Sequence, residues 1–177
     1  MARHYIRNDN TFAGTGVDGG LPPGAVAEVP AAPSDGRQVW DATKEVWVLP
    51  LDLIKVQRVD EVGALYDAAL IAGMAYQGTV LQIRPQDQAN LTTMGNEARW
   101  AKALGAAWPT QFAWRMADDT FLALPTADDM IALGEAAKAE VYRLRLVSWG
   151  HKDAITALET AEAVLAYDIS SGWQNGI

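Results

Sequence analysis

The chain has no cysteine, only two histidines and only four serines. Without cysteine there is no disulfide framework, no thiolate metal site and no thiol nucleophile. His4 and His151 stand far apart in sequence, and neither has a carboxylate or a second histidine at metal-ligand spacing, so both read as structural. None of Ser34, Ser148, Ser170 and Ser171 sits in a G-x-S-x-G elbow, which leaves nucleophilic catalysis without a candidate. Positive charge is also scarce: 14 Lys and Arg stand against 22 Asp and Glu, a formal net charge of −8. Phosphate backbones are held mainly by Lys and Arg, so nucleic acid and anionic membrane are discounted as partners. No apolar run approaches the roughly 18 residues of a membrane span, and the start MARHYIRNDN lacks the apolar middle of a secretion signal. The expectation is a chain made and folded in the cytoplasm, with no membrane insertion.

What is present suits a globular protein. At 177 residues and 50% apolar content the chain can bury one core of ordinary size and carry a tail. Residues 1–36 hold four of the eight prolines and the glycine-studded run NDNTFAGTGVDGGLPPGAVAEVPAAPSDG. Such a run buries little surface to offset its ordering entropy, and it reads as an extended arm that orders by lying on another chain. Residues 37–50 pair Val39 and Trp40 with Val46, Trp47 and Val48 across the polar Asp41 to Glu45, the pattern of a small β-hairpin.

From Leu51 the spacing of Val59, Val62, Tyr66 and Ala69 predicts a helix that stops at Gly73. MAYQGTVLQI predicts two short strands turning at Gln77 and Gly78. Pro85 opens a helix, with Asp87 in its first turn and Gly105 at its end. The plan then repeats: QFAWRMADDTFLAL is a hairpin turning at Asp118 and Asp119, followed by Thr126 as N-cap and Asp129 three residues on. The strand residues 79–83 match 120–124, and Asp87 is matched to Asp128. A seam of Met130, Gly134, Ala137, Val141, Leu144, Ser148, His151, Ile155, Leu158, Glu162 and Leu165 predicts a long final helix, with Gly150 as a point of bending. Two readings of the seam stand: it covers the hairpins within one chain, or it meets a second copy.

Gly14, Gly16 and Gly19 spell the dinucleotide fingerprint G-x-G-x-x-G. GLPPGA follows and cannot begin the helix that would receive a pyrophosphate, so no cofactor is expected. The pairs Asp118-Asp119 and Asp128-Asp129 suggest acids or a hard-cation site, but turn formation and helix capping account for all four. No metal site and no catalytic residue are expected. Seven tryptophans are many for this length. Trp100 and Trp114 fall where core packing is the default, whereas Trp40, Trp47 and Trp173 are the candidates for contact with another chain or for stacking on carbohydrate.

Residues 51–169 resemble an uncharacterised domain found at the C-terminal end of many phage tail-fibre, tail-tip and tail-fibre-assembly proteins. The resemblance rests on Tyr76-Gln77-Gly78 leading into TVLQIRP, Asp87 to Asn90, the hairpin Trp114 to Leu124, PTADDMIAL, and Lys152, Asp153 and Ile155. QVWDATKEVWV is similar to an element that often precedes this domain, and the turn residue Asp119 stands where asparagine is usual.

The whole reading is an α+β domain in the order α-ββ-α-ββ-α over 51–169, preceded by the arm and the Trp hairpin and followed by a tail over 170–177. The resemblance implies a non-enzymatic structural protein of the virion tail tip or tail fibre. It would contact other phage tail proteins in a homo-oligomer of trimeric or hexameric arrangement. A non-virion chaperone of fibre assembly and a receptor- or glycan-binding tail module are the alternatives.

Overall fold

The structure is a computed structural model that describes residues 2–17 and 19–174. Met1 and Asp18 of the expected arm, and residues 175–177 of the expected tail, lie outside the described residues. The chain forms two compact units: Met1–Arg58 with Leu158–Tyr167, and Val59–Ala157 with Asp168–Ile177.

In the first unit, residues 3–29 correct the expectation of an extended arm. β1 (Arg3–Ile6), β2 (Phe12–Gly16) and β3 (Ala27–Val29) form an antiparallel sheet in the order β2-β1-β3. Turn chemistry, not apolar periodicity, makes this sheet. Asp9 Oδ1 accepts from the Thr11 amide at 3.1 Å and from its hydroxyl at 2.6 Å, and Asn10 takes the left-handed φ of 60°. The Arg7 amide then bonds the Thr11 carbonyl at 2.9 Å. This is the three-residue hairpin loop in which a short polar side chain tolerates a left-handed position.

Of the fingerprint glycines, Gly16 has a packing role. Gly14 and Gly16 lie in β2, and a Cβ on Gly16 would collide with the Gly20 carbonyl and the Tyr5 ring. β4 (Val39–Asp41) and β5 (Val46–Val48) form the expected hairpin, with Trp40 opposite Trp47 and their rings edge-on at 5.4 Å. Ile6, Val29 and Trp40 are buried together, with Trp47 against them. α4 (Ala161–Ala166), capped by the Thr160 hydroxyl, belongs to this unit, where Glu162 meets Lys44 at 2.8 Å.

The second unit has the predicted α-ββ-α-ββ-α order, and the fold is α+β. It contains the larger part of α1 (Leu51–Ala72), β6 (Met74–Tyr76), β7 (Thr79–Leu81), α2 (Pro85–Leu104), β8 (Ala113–Arg115), β9 (Phe121–Ala123) and α3 (Ala127–Ala157). Gly73 ends α1 at φ 80°, where an added Cβ would lie 2.5 Å from the Leu81 carbonyl. The two hairpins are joined where the Ala117 amide donates to the Val80 carbonyl at 2.9 Å and the Thr79 hydroxyl to Asp118 at 3.2 Å.

Each hairpin hands to its helix through three residues, 82–84 and 124–126, and each linker buries one large side chain, Ile83 or Leu124. Asp87 Oδ2 accepts from the Arg84 amide at 3.1 Å, and Asp129 Oδ2 from the Thr126 amide at 2.9 Å. The structural counterpart of Asp87 is therefore Asp129. Asp128, matched to it in the sequence, instead pairs with Lys102 at 2.6 Å.

α2 and α3 pack together over Leu91, Ala98, Met130, Leu133, Ala137 and Leu144, which belong to one buried cluster with Leu81 of β7 and with Ile83, Met116 and Leu124, which adjoin the strands. α3 runs through Gly150 without a break and stops at Ala157, so the expected seam is cut short there. Thr160 offers its side chain as an N-cap, which starts a new helix in place of a continuous one. Residues 168–174 then lie against α3. Arg143 donates to the carbonyls of Gly172 at 2.7 Å and Trp173 at 3.0 Å, and His151 Nε2 donates to the Ser171 carbonyl at 3.0 Å.

Candidate interaction surface

α3 has three sides. Met130, Leu133, Ala137, Leu144, Ser148, His151 and Ile155 form the buried side. Arg143 and His151 meet the C-terminal segment. Arg143 is also braced by Glu140 at 2.7 Å, whose hydrogen bond holds the guanidinium's pKa above its ordinary value.

The third side is open. Tyr142, Leu146 and Trp149 are 57%, 48% and 50% exposed. Their offsets of four and three place them on one line, about 160° around the helix from Leu144 at roughly 100° per residue. Glu135 and Lys138 stand before this line, Arg145 beside it and Asp153 after it, all exposed. All three are already about half covered, so hiding the rest of each would contribute roughly half of the 1.5–3 kcal/mol that full burial of a large apolar side chain gives.

A groove of about 550 Å³ between α2 and α3 borders this line. Gly95 and Gly134 lie in its lining, with Leu91, Ala137 and Val141, and Thr92, Asn96, Arg99, Glu135, Lys138, Tyr142 and Arg145 edge it. Arg99 and Glu135 form an ion pair from one helix to the other, and Lys138 stands 3.9 Å from the same carboxylate. Three cations and one carboxylate make the groove locally positive in an acidic chain. Its single carboxylate is engaged by the Arg99 guanidinium.

The four aspartates singled out in the sequence are spread over turn, cap and surface. Asp118 accepts from the Thr120 hydroxyl at 2.6 Å and its amide at 3.1 Å, which holds its carboxyl below the usual range. Asp119 occupies the left-handed turn position at φ 64° and pairs with Arg115 at 2.8 Å. Among the described residues no three His, Cys, Asp or Glu gather where a metal could be held, and no helix is long and apolar enough to cross a membrane.

The tryptophans proposed for contact face inward. Trp40 is 9% exposed. Trp47 is partly buried, with its Nε1 donating to the Ala31 carbonyl at 2.8 Å. Trp173 is partly buried and stacks on His151 at 5.7 Å. The exposed tryptophans are Trp149 and, at 67%, Trp100, which the sequence places in the core. Trp114 does pack against the core. The signal for the open line was available as Tyr142, Leu146 and Trp149 at helical spacing, but it was masked by the apolar seam on the opposite side of the same helix.

No curated protein and no solved structure matches the chain. One family model does, over residues 53–171, more than half of the chain. With that span covered, the chain belongs to the family described as Domain of unknown function (DUF4376).

Proposed function

We propose that the chain is a structural component of a phage tail, at the tail tip or fibre, acting through protein contacts and not through catalysis. The observation that carries the reading is the open line of Tyr142, Leu146 and Trp149 on α3, beside the α2–α3 groove. The resemblance of residues 51–169 to tail-fibre and tail-tip domains supplies the setting. The partners are other tail proteins and further copies of the chain, in a trimeric or hexameric arrangement, and the location is the virion tail.

Quantitative mass spectrometry of purified particles tests this. The chain should be present in constant ratio to known tail proteins through repeated washing. Detection in the infected-cell lysate but not in the particles would contradict the reading and point to a chaperone of fibre assembly.

A further inference from the structure

We propose that the open face of α3 is a self-complementary surface on which a second copy of the chain docks, antiparallel, about a twofold axis passing between Arg145 and Leu146. The argument is one of register. Lys138 and Asp153 lie equally far from the midpoint between Arg145 and Leu146, and so do Tyr142 and Trp149. In an antiparallel pair about that midpoint, Tyr142 of each copy meets Trp149 of the other, and Lys138 of each meets Asp153 of the other. Leu146 of each copy lies next to the axis, opposite Arg145 of the other.

Tyr142 thus opposes Trp149 and Lys138 opposes Asp153, each pair twice over, as a twofold interface demands. A parallel, in-register pair would set Lys138 against Lys138 and Asp153 against Asp153. Arg145 lines the α2–α3 groove together with Lys138 and Tyr142.

The size of the surface sets its strength. Lys138 to Asp153 spans about 22 Å of helix at 1.5 Å per residue. Two helices meeting over that length bury on the order of 600–800 Å², below the roughly 1,200 Å² of stable interfaces. The pair is therefore weak for isolated chains, with a dissociation constant of tens to hundreds of micromolar. It becomes dominant where an assembly already holds copies close, since effective concentrations there reach about the millimolar range. A hexamer of three such pairs needs a second, different contact between the pairs. The pairing does not rest on the tail role proposed above, and absence of the chain from particles would leave it standing.

Analytical ultracentrifugation of the full chain, from about 10 µM to about 1 mM, tests it. The chain should shift from monomer to dimer and no further, and Leu146→Lys, which sets a second cation against Arg145 of the other copy, should abolish the shift. Lys138→Asp and Asp153→Lys should each weaken dimerisation about tenfold, by turning two attractive pairs into repulsive ones. Mixing those two variants, or combining both changes in one chain, should restore it. Circular dichroism melts that match the parent chain exclude misfolding as the cause. A chain that stays monomeric across the range overturns the proposal and leaves the face to a partner of different sequence. Failure of the mixed or doubly reversed chains to recover overturns the antiparallel register.

Discussion

Single residues carry the sharpest local constraints. Gly73 sits at φ 80° with the Leu81 carbonyl 2.5 Å and a Val80 methyl 2.8 Å from where a Cβ would stand. Gly73→Ala should therefore lower stability by more than about 1 kcal/mol, read as a lower urea midpoint, because both the backbone and the space are wrong for it. Asp118 gives a pH signature. Its carboxyl is held below the ordinary value of 3.8, first by the Thr120 hydroxyl. A depressed folded pKa contributes stability that is complete above the unfolded value and is lost as pH falls through the folded one. Asp118→Ala should accordingly be less stable than the parent at neutral pH, and the gap measured by denaturant unfolding should close below about pH 4. A gap that persists unchanged in acid would show that the turn does not depend on the ionised carboxylate. Residues such as Gly73, Pro85 and Thr126 were legible in the sequence because their roles are set by neighbours in the chain. Trp40, Trp47, Trp173 and Trp100 were not, because a tryptophan's burial depends on what the fold brings to it from elsewhere.

At the scale of elements, the two hairpin-to-helix junctions organise the second unit. The Thr126 hydroxyl and the Asp129 carboxylate each accept a backbone amide at the start of α3, at 3.2 and 2.9 Å. Thr126→Ala should cost about 1 kcal/mol, seen as a lower thermal midpoint with helix content at low temperature retained. The echo between the hairpins is limited to those junctions. β6 and β7 turn in two residues at Gln77-Gly78, whereas β8 and β9 turn in three with Asp119 left-handed. The nearest copy of that turn is Asn8-Asp9-Asn10-Thr11 in the first unit, where Asp9 receives the same two bonds from Thr11.

The sheet of residues 3–29 escaped sequence reading because its strands are short and glycine-broken, so its evidence is turn chemistry alone. α3 shows the converse limit. It is apolar on two opposite sides, and periodicity cannot say which side its own chain covers. The C-terminal segment provides a test of that distinction. Trp173→Ala should destabilise the fold by about 2 kcal/mol or more through lost packing on His151, whereas Trp100→Ala should stay within about 0.5 kcal/mol. Equal effects in chemical denaturation would contradict the inward placement of Trp173.

For the whole molecule, the structure supplies two units stitched from discontinuous segments, and in the second an exposed line of Tyr142, Leu146 and Trp149 on α3. The α+β order was readable from the chain because each of its elements is bounded by glycine, proline or aspartate. The open line on α3 was not, since exposure belongs to the folded molecule and not to the pattern. The proposed role as a tail component makes this face the place where the chain meets its neighbours inside a particle. Photo-cross-linking in assembled particles, with a benzoylphenylalanine side chain replacing Tyr142, addresses that claim most directly. The account predicts a cross-link within the particle to α3 of a second copy, near Trp149. Particles that contain the chain but give no cross-link from this position, or particles that lack the chain, would contradict it.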